Sequence, residues 1–554
     1  MKTEGNLVNR IRTHGYHWEA LIALVLVLAA LLIRFGFLAE YPNSIMHEDS
    51  GPYVDEAERL LEGRETATGQ VPGRAPGYPL FLAAIINLVS PNLLYTIGIQ
   101  HLLGTGTALL LTLSLRMLGV GRLLSYTFFA AIAFAHRLIH YDNTIGAETL
   151  TVFLVSVNFF LATGMALRRW NPWACAAAIG VIFGYLILVR SATFFIPFVF
   201  AAWFGLPNVG KLCPGWPRRL ALMALIIVPT VSAIVGMIQW NKEHYNRSVL
   251  SRETEPVMAF VIAYSGDFTE HGARYEVLDG HEGLRKDLQT VVEKGRATLR
   301  EDGYSTLENY QWVFNIFSPL DVGRLGSQQE KDRVVSALFR ETLLTPHTLY
   351  RHLTGHTLRE MKFMLFDATP AANSAFSPRD LVNFTKRDGK VLRIAQARAD
   401  YEPGTGIAAH IPSSLGKFLQ RFTNRYIRNK YTTEYRQRPG MLRVYTVLSL
   451  TLLMVLLLEV SRMRYWLSAL LQKARLFNRD RRRKSGRDMY RSSPITTEHS
   501  VVLLAFAIWL GNAMLYCTLL YALHRYSYYV YAFNAFTAFY GLHLLIRYFQ
   551  ARTR

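Results

Sequence analysis

The chain has 554 residues, of which 51% are hydrophobic, and carries a net charge of +21. A basic balance alone would suit a nucleic-acid binder, but long apolar runs put a membrane first and exclude an ordinary water-soluble globule. The predicted fold is mainly α: a polytopic helical membrane protein with about ten spans, interfacial helices and a mixed, largely helical extracytoplasmic domain.

The first apolar run, Leu21–Leu38, has one charge, Arg34. It is too long for a signal-peptide core and no small-residue cleavage pattern follows, so it reads as an uncleaved span. Further spans are predicted at Leu94–Leu115, Leu124–Leu138, Ala147–Leu167, Trp173–Leu188, Phe194–Leu206 and Leu220–Trp240. After a polar interval come Leu442–Val460, Val501–Leu523 and Tyr528–Ile546. The resulting division is 1–240, a transmembrane module whose first outer loop is 41–93; 241–440, an extracytoplasmic domain; and 441–554, the last spans with a basic loop at 462–498.

Charge orients the bundle. Lys2, Arg10, Arg12, Arg116, Arg122, Arg168, Arg169, Lys211, Arg218 and Arg219 all fall on one side if the spans alternate. Arg462–Arg491 joins them with eleven Lys/Arg against two Asp. This positive-inside pattern places both termini in the cytoplasm. The run Arg479–Arg487 reads as an anchor near anionic lipid rather than a nucleic-acid site. Cys175 and Cys517 fall in spans and Cys213 in a cytoplasmic loop, so the outer domain has no disulfide to lean on.

The stretch His47–Gly63 is rich in carboxylates, Glu48, Asp49, Asp55, Glu56 and Glu58 among them. Pro52 suits a first helical turn, Ser50 or Gly51 can cap it, and Gly63 ends it. Tyr53, Ala57, Leu60 and Leu61 recur at helical spacing, which predicts an amphipathic surface helix with Tyr53 and Ala57 toward the membrane. Asp49 stands just before its positive end, where the ionised carboxylate is favoured and can serve as a general base. Glu48 and Asp55 are the alternative carboxylates. Arg74–Val89, RAPGYPLFLAAIINLV, predicts a second interfacial helix leading into the next span.

Within the outer segment, Gln328–Leu343 predicts an amphipathic helix stopped by Pro346, and Leu349–Leu365 predicts another. YSGDF and PGTGIAAH read as loops. His136, His140 and Asp142 have a spacing that a metal site can use, although histidines at a membrane edge are more often plain interfacial residues.

Taken in order, these residues resemble the GT-C superfamily of polytopic glycosyltransferases, in the branch of protein O-mannosyltransferases and lipid A aminoarabinose transferases. The resemblance is carried by Asp49, Tyr53, Ala57, Leu60 and Gly63; by RAPGYPLFLA from Arg74, with Tyr78; by Glu148 in GAETLTVFLV; by Arg190 in GYLILVRSA; and by HRYSYYVYAF from His524 and Arg525. It implies inverting transfer of a sugar from a polyprenyl phosphate to an acceptor hydroxyl, on the periplasmic or extracellular face of a bacterial inner membrane. In that scheme Asp49 is the catalytic base. Arg190, Arg525, Arg74 and His524 bind the donor phosphate, and Glu48, Tyr53, Tyr78 and Glu148 support them. The acceptor can be glycan, lipid or protein, and nucleic acid is not a partner. Some members need a divalent ion such as Mg or Mn, for which Glu48 is a candidate, and others do not, so the cofactor stays open. A transporter or flippase of lipid-linked glycan and a non-catalytic envelope-assembly subunit are the competing readings.

Overall fold

A computed structural model describes residues 20–36, 38, 50–63, 75–204, 215–245, 247, 250, 258, 261–263, 265–269, 275–279, 281–302, 319–320, 322–357, 381–387, 390–396, 446–450, 452, 497–519 and 527–552. It is mainly helical. Among the described residues, four helices are long and apolar enough to cross a membrane. They are α4 (Leu93–Met117), α7 (Glu148–Ala166), α8 (Pro172–Val189) and α10 (Trp216–Tyr245). Each matches an apolar run expected from the sequence.

The other helices of this part are shorter. They are α1 (Ala20–Gly36), α2 (Ser50–Glu62), α3 (Gly77–Leu88), α5 (Arg122–Ala133), α6 (His136–Asp142) and α9 (Ile196–Trp203). Two expected spans are thereby corrected. Leu124–Leu138 is broken between α5 and α6. Phe194–Leu206 becomes a 3-10 turn, Ser191–Thr193, followed by the eight residues of α9. Eight residues rise only about 12 Å, well short of a hydrocarbon core of about 30 Å. Pro197 in the first turn of α9 is one local reason, since its ring forbids continuation of the preceding turn.

The chain divides into two compact units. The first holds α1 to α6, most of α7, and a hairpin of β1 (Leu381–Arg387) and β2 (Lys390–Gln396). The strands are antiparallel, with Leu381 opposite Gln396 and Arg387 opposite Lys390. Asp388-Gly389 stands between them, the dipeptide that a two-residue hairpin turn favours. β2 lies against α2.

The second unit holds α8 to α10, most of residues 241–440 and the last helices. α8 and α10 pack closely, and the reason lies in three residues. Pro229 sits inside α10 and has no N–H, so the carbonyl of Leu225, four residues back, lacks its helical donor. Gly180 of α8 faces that carbonyl; any Cβ there would collide with the Leu225 oxygen. Gly184, one turn on, approaches the Pro229 carbonyl, with 3.1 Å left for a Cβ. Small residues four apart let two backbones meet, and Cα–H groups then face the unanswered carbonyl.

Residues 241–440 have a core of their own around Phe268, Tyr275, Leu278, Leu288, Val335 and Leu338. α11 (Glu282–Asp302) and α12 (Gln328–Leu344) supply much of it, and Ser327 caps α12 by accepting from the Glu330 amide at 3.1 Å. Pro346 ends one helix and also starts the next, α13 (Pro346–Arg351), as an N-terminal proline can. The helix expected at Leu349–Leu365 begins as α13 and a π-turn over His352–Thr357; residues 358–365 lie outside the description. Arg247 clamps Asp332 with two bonds of 2.9 and 2.6 Å, and Arg351 reaches Asp267 at 3.1 Å.

α14 (Thr497–Leu519) and α15 (Ser527–Arg552) pack on each other. Trp203 of α9 donates to the Ser500 carbonyl at 2.8 Å. Of the span expected at Leu442–Val460, only 446–450 and 452 are described, and they are helical. Asn534 of α15 donates to Thr446 at 2.8 Å, and Ser449 to the Asn534 carbonyl at 2.9 Å.

Two outcomes are expected. Gly180→Val forces α8 off α10 and lowers the melting temperature, with overpacking of this kind costing about 1–3 kcal/mol; a melting scan in detergent checks it. For Asp267, burial works against the charge, but the Thr269 hydroxyl and amide and Arg351 together hold the carboxyl below the ordinary 3.8. Its contribution to stability is therefore present above that pH and is lost as pH falls through the depressed value. The melting difference between wild type and Asp267→Asn should be widest near neutrality and vanish in strong acid.

Candidate active site

The first unit has a polar interior in which α1, α2, α3 and α4 converge on the segment Asp142–Thr149, between α6 and the start of α7. Asp142 is fully buried. Its Oδ2 accepts from Arg34 Nε at 3.2 Å, and its Oδ1 from the Thr149 hydroxyl at 3.0 Å. Arg34 is also fully buried, and a second nitrogen donates to the carbonyl of Ala133, at the end of α5. A cation at a helix C-terminus answers carbonyls that the helix cannot. Gly104 on α4 makes room for the Asp142 carboxylate, which lies where a Cβ would stand.

His101 lies on the same side, its Nδ1 3.8 Å from Asp142 Oδ2 and its Nε2 3.3 Å from Asn143 Oδ1. One residue earlier, Gln100 uses both amide hydrogens on backbone: Nε2 donates to the carbonyls of Asp142 at 2.9 Å and Thr144 at 2.8 Å. Its Oε1 accepts from the Tyr78 hydroxyl at 2.7 Å. Tyr78 also accepts from the Gly146 amide. Burial, and next the charge of Glu148, push the Tyr78 phenol well above its ordinary range, so it stays a donor.

The start of α2 is tied to the same segment. Ser50, fully buried, donates to the Ile145 carbonyl at 2.6 Å. Tyr53 packs edge-on against Tyr78, with ring centroids 4.9 Å apart. Tyr53, Val54 and Ala57 are buried, and α2 packs on α3. The expectation that Tyr53 and Ala57 face the membrane is corrected: they face protein, because α3 and Tyr78 fill the space beneath them.

The structure thus brings three expected residues, Tyr53, Tyr78 and Glu148, into one cluster. Glu148 opens α7 and is almost wholly buried. Asp55 is half-buried on α2. Arg190 closes α8 in extended backbone, within the other unit. Asp49, Glu48, Arg74, His524 and Arg525 lie outside the described residues, as do the side chains of His136 and His140. Asp142 does not fit a divalent cation: Arg34 stands where the ion would have to bind, and Thr149 takes the other oxygen. Among the described residues, no three His, Cys, Asp or Glu side chains come together as a metal site.

Sequence reasoning saw Ser50 only as a helix cap, and passed over Gln100, His101, Thr149 and the partnership of Arg34. A signal existed for three of them, since Arg34, Gln100 and His101 are ionisable or strongly polar groups inside apolar runs. No protein-family model matches the chain, and no curated protein matches it.

The ion pair gives a prediction. Removing one partner strands a buried charge and costs about 3–5 kcal/mol, whereas removing both with apolar residues costs far less. Arg34→Met and Asp142→Leu should each melt well below wild type, and the double variant should recover much of the loss. Additive losses would refute the pairing.

Proposed function

We propose that the chain is a membrane glycosyltransferase of the GT-C kind, with about ten spans, cytoplasmic termini and its site on the outer face of a bacterial plasma membrane. The observation that carries the reading is the bond from Ser50 to the Ile145 carbonyl. It ties the residue that follows Asp49 in the chain to the turn leading into Glu148, two acids that the sequence assigns to one site. Around Ser50 and Glu148 lie buried donors and aromatic rings on short helices, a scaffold that can hold a carboxylate in one geometry.

In this reaction Asp49 takes the proton of an acceptor hydroxyl. The oxygen attacks the anomeric carbon of a sugar on polyprenyl phosphate; the new C–O bond forms as the bond to phosphate breaks, with inversion. The electron pair leaves on the lipid phosphate. Arg190, Arg525, Arg74 and His524 answer that charge, the arginines by planar, two-pronged donation. Glu48, Tyr53, Tyr78 and Glu148 support the site.

A second reading, transport of a lipid-linked glycan, is favoured by one observation: the ion pair of Arg34 and Asp142, with His101 beside it, is buried among apolar helices. Sealed liposomes separate the two. An enzyme passes label from a polyprenyl phospho-sugar to an acceptor, and Asp49→Asn, which keeps size and loses the base, should drop turnover by about 10²–10⁴ while still binding donor. Lipid flipping that Asp49→Asn leaves intact, with no transfer by wild type, would favour the transporter.

A further inference from the structure

The segment Asp142–Thr149 has backbone groups that no helix or sheet satisfies. A buried stretch of this kind keeps one shape only if side chains answer its carbonyls and amides. Gln100 answers two carbonyls, those of Asp142 and Thr144, and through Tyr78 it reaches a third group, the Gly146 amide. The Ile145 carbonyl between them takes Ser50. Gln100 thus holds both the turn before Glu148 and the phenol on which Tyr53 packs.

We infer that Gln100 is a positioning residue for the proposed transfer, holding the 142–146 turn so that Glu148 and the start of α2 keep a fixed spacing. The inference rests on the glycosyltransferase reading and adds a residue to it. Gln100 touches no reacting atom. Its effect falls on the chemical step, because a displacement of about 1 Å at a reacting group can cost about 10²-fold in rate. A glutamine suits the place because it offers two donors and one acceptor on a single planar head. Leucine offers none of these, and a carboxylate would set charge against two carbonyl oxygens. A protonated carboxyl can still donate to one carbonyl and accept from Tyr78. Among the described residues, the titratable and charged groups around it are Tyr78 on α3, His101 on α4, Arg34 on α1, Asp142 closing α6 and Glu148 opening α7.

The test uses the full-length protein in liposomes with a polyprenyl phospho-sugar donor, and follows kcat, donor affinity and melting for wild type, Gln100→Leu and Gln100→Glu. Gln100→Leu should lose about 10²-fold in kcat, with donor Kd within about twofold of wild type. Gln100→Glu should show a similar loss at pH 8 and regain activity relative to wild type toward pH 5.5, as its introduced carboxyl takes up a proton. Turnover of Gln100→Leu at the wild-type rate would overturn the inference and leave the enzyme reading standing. So would a Gln100→Glu deficit that ignores pH, or a loss of kcat that merely tracks loss of donor binding and of folded protein in both variants. Absence of sugar transfer by wild type would sink the enzyme reading and this inference with it.

Discussion

A guanidinium removed from water must be answered by charge or by backbone, and Arg34 is answered by both. It meets Asp142 and the end of α5, and each of those attachments dictates something further. Asp142 must come close to α4, which requires a glycine at position 104. Its other oxygen must be occupied, which Thr149 does from the far side of the turn. The first helix, the fifth and the approach to the seventh are thus held by one pair of charges. A buried pair of this kind gives little net stability over an apolar replacement, and its use is to make one arrangement preferable to others.

From that fixed point the candidate site is built outward. Gln100 and Tyr78 secure the turn, Ser50 secures the start of α2, and the tyrosine pair fills the space between. The polar interior is dense in donors and acceptors, most of them paired, while Arg34 Nη2 and His101 Nδ1 are buried without a hydrogen-bond partner among the described residues. A reaction that removes one proton and disperses one negative charge needs such a framework more than it needs many reactive groups.

Much of the architecture was legible because hydropathy and helix length report directly on burial in lipid or protein. α4, α7, α8 and α10 begin and end within a few residues of their apolar runs, and α12 carries a capping serine and glutamate in plain view. The break between α5 and α6 was not legible, since Phe134-Ala135 has neither proline nor glycine and local preference does not oppose a continuous helix there. The hairpin was overlooked although Asp-Gly marks it. Tyr53, Tyr78 and Glu148, singled out by motif because side chains define motifs, do lie together. Gln100 was not singled out, because its partners are carbonyls more than forty residues away, and a carbonyl has no letter in the sequence. The facing of α2 was misjudged for a related reason: an apolar stripe says that a face is covered, and protein and lipid cover it equally well.

The meeting of α8 and α10 has a consequence for how the chain comes together. Gly180 fits over Leu225 only because Pro229 has vacated that carbonyl, and Gly184 fits over the next turn only at the same offset. Sliding one helix by a single residue would set side chains against the bare backbone and leave the unanswered carbonyl in an apolar interior. The two helices are a lock and its key cut in backbone rather than in side chains. They admit one register, and whatever later assembles on this pair receives a surface whose spacing is already settled.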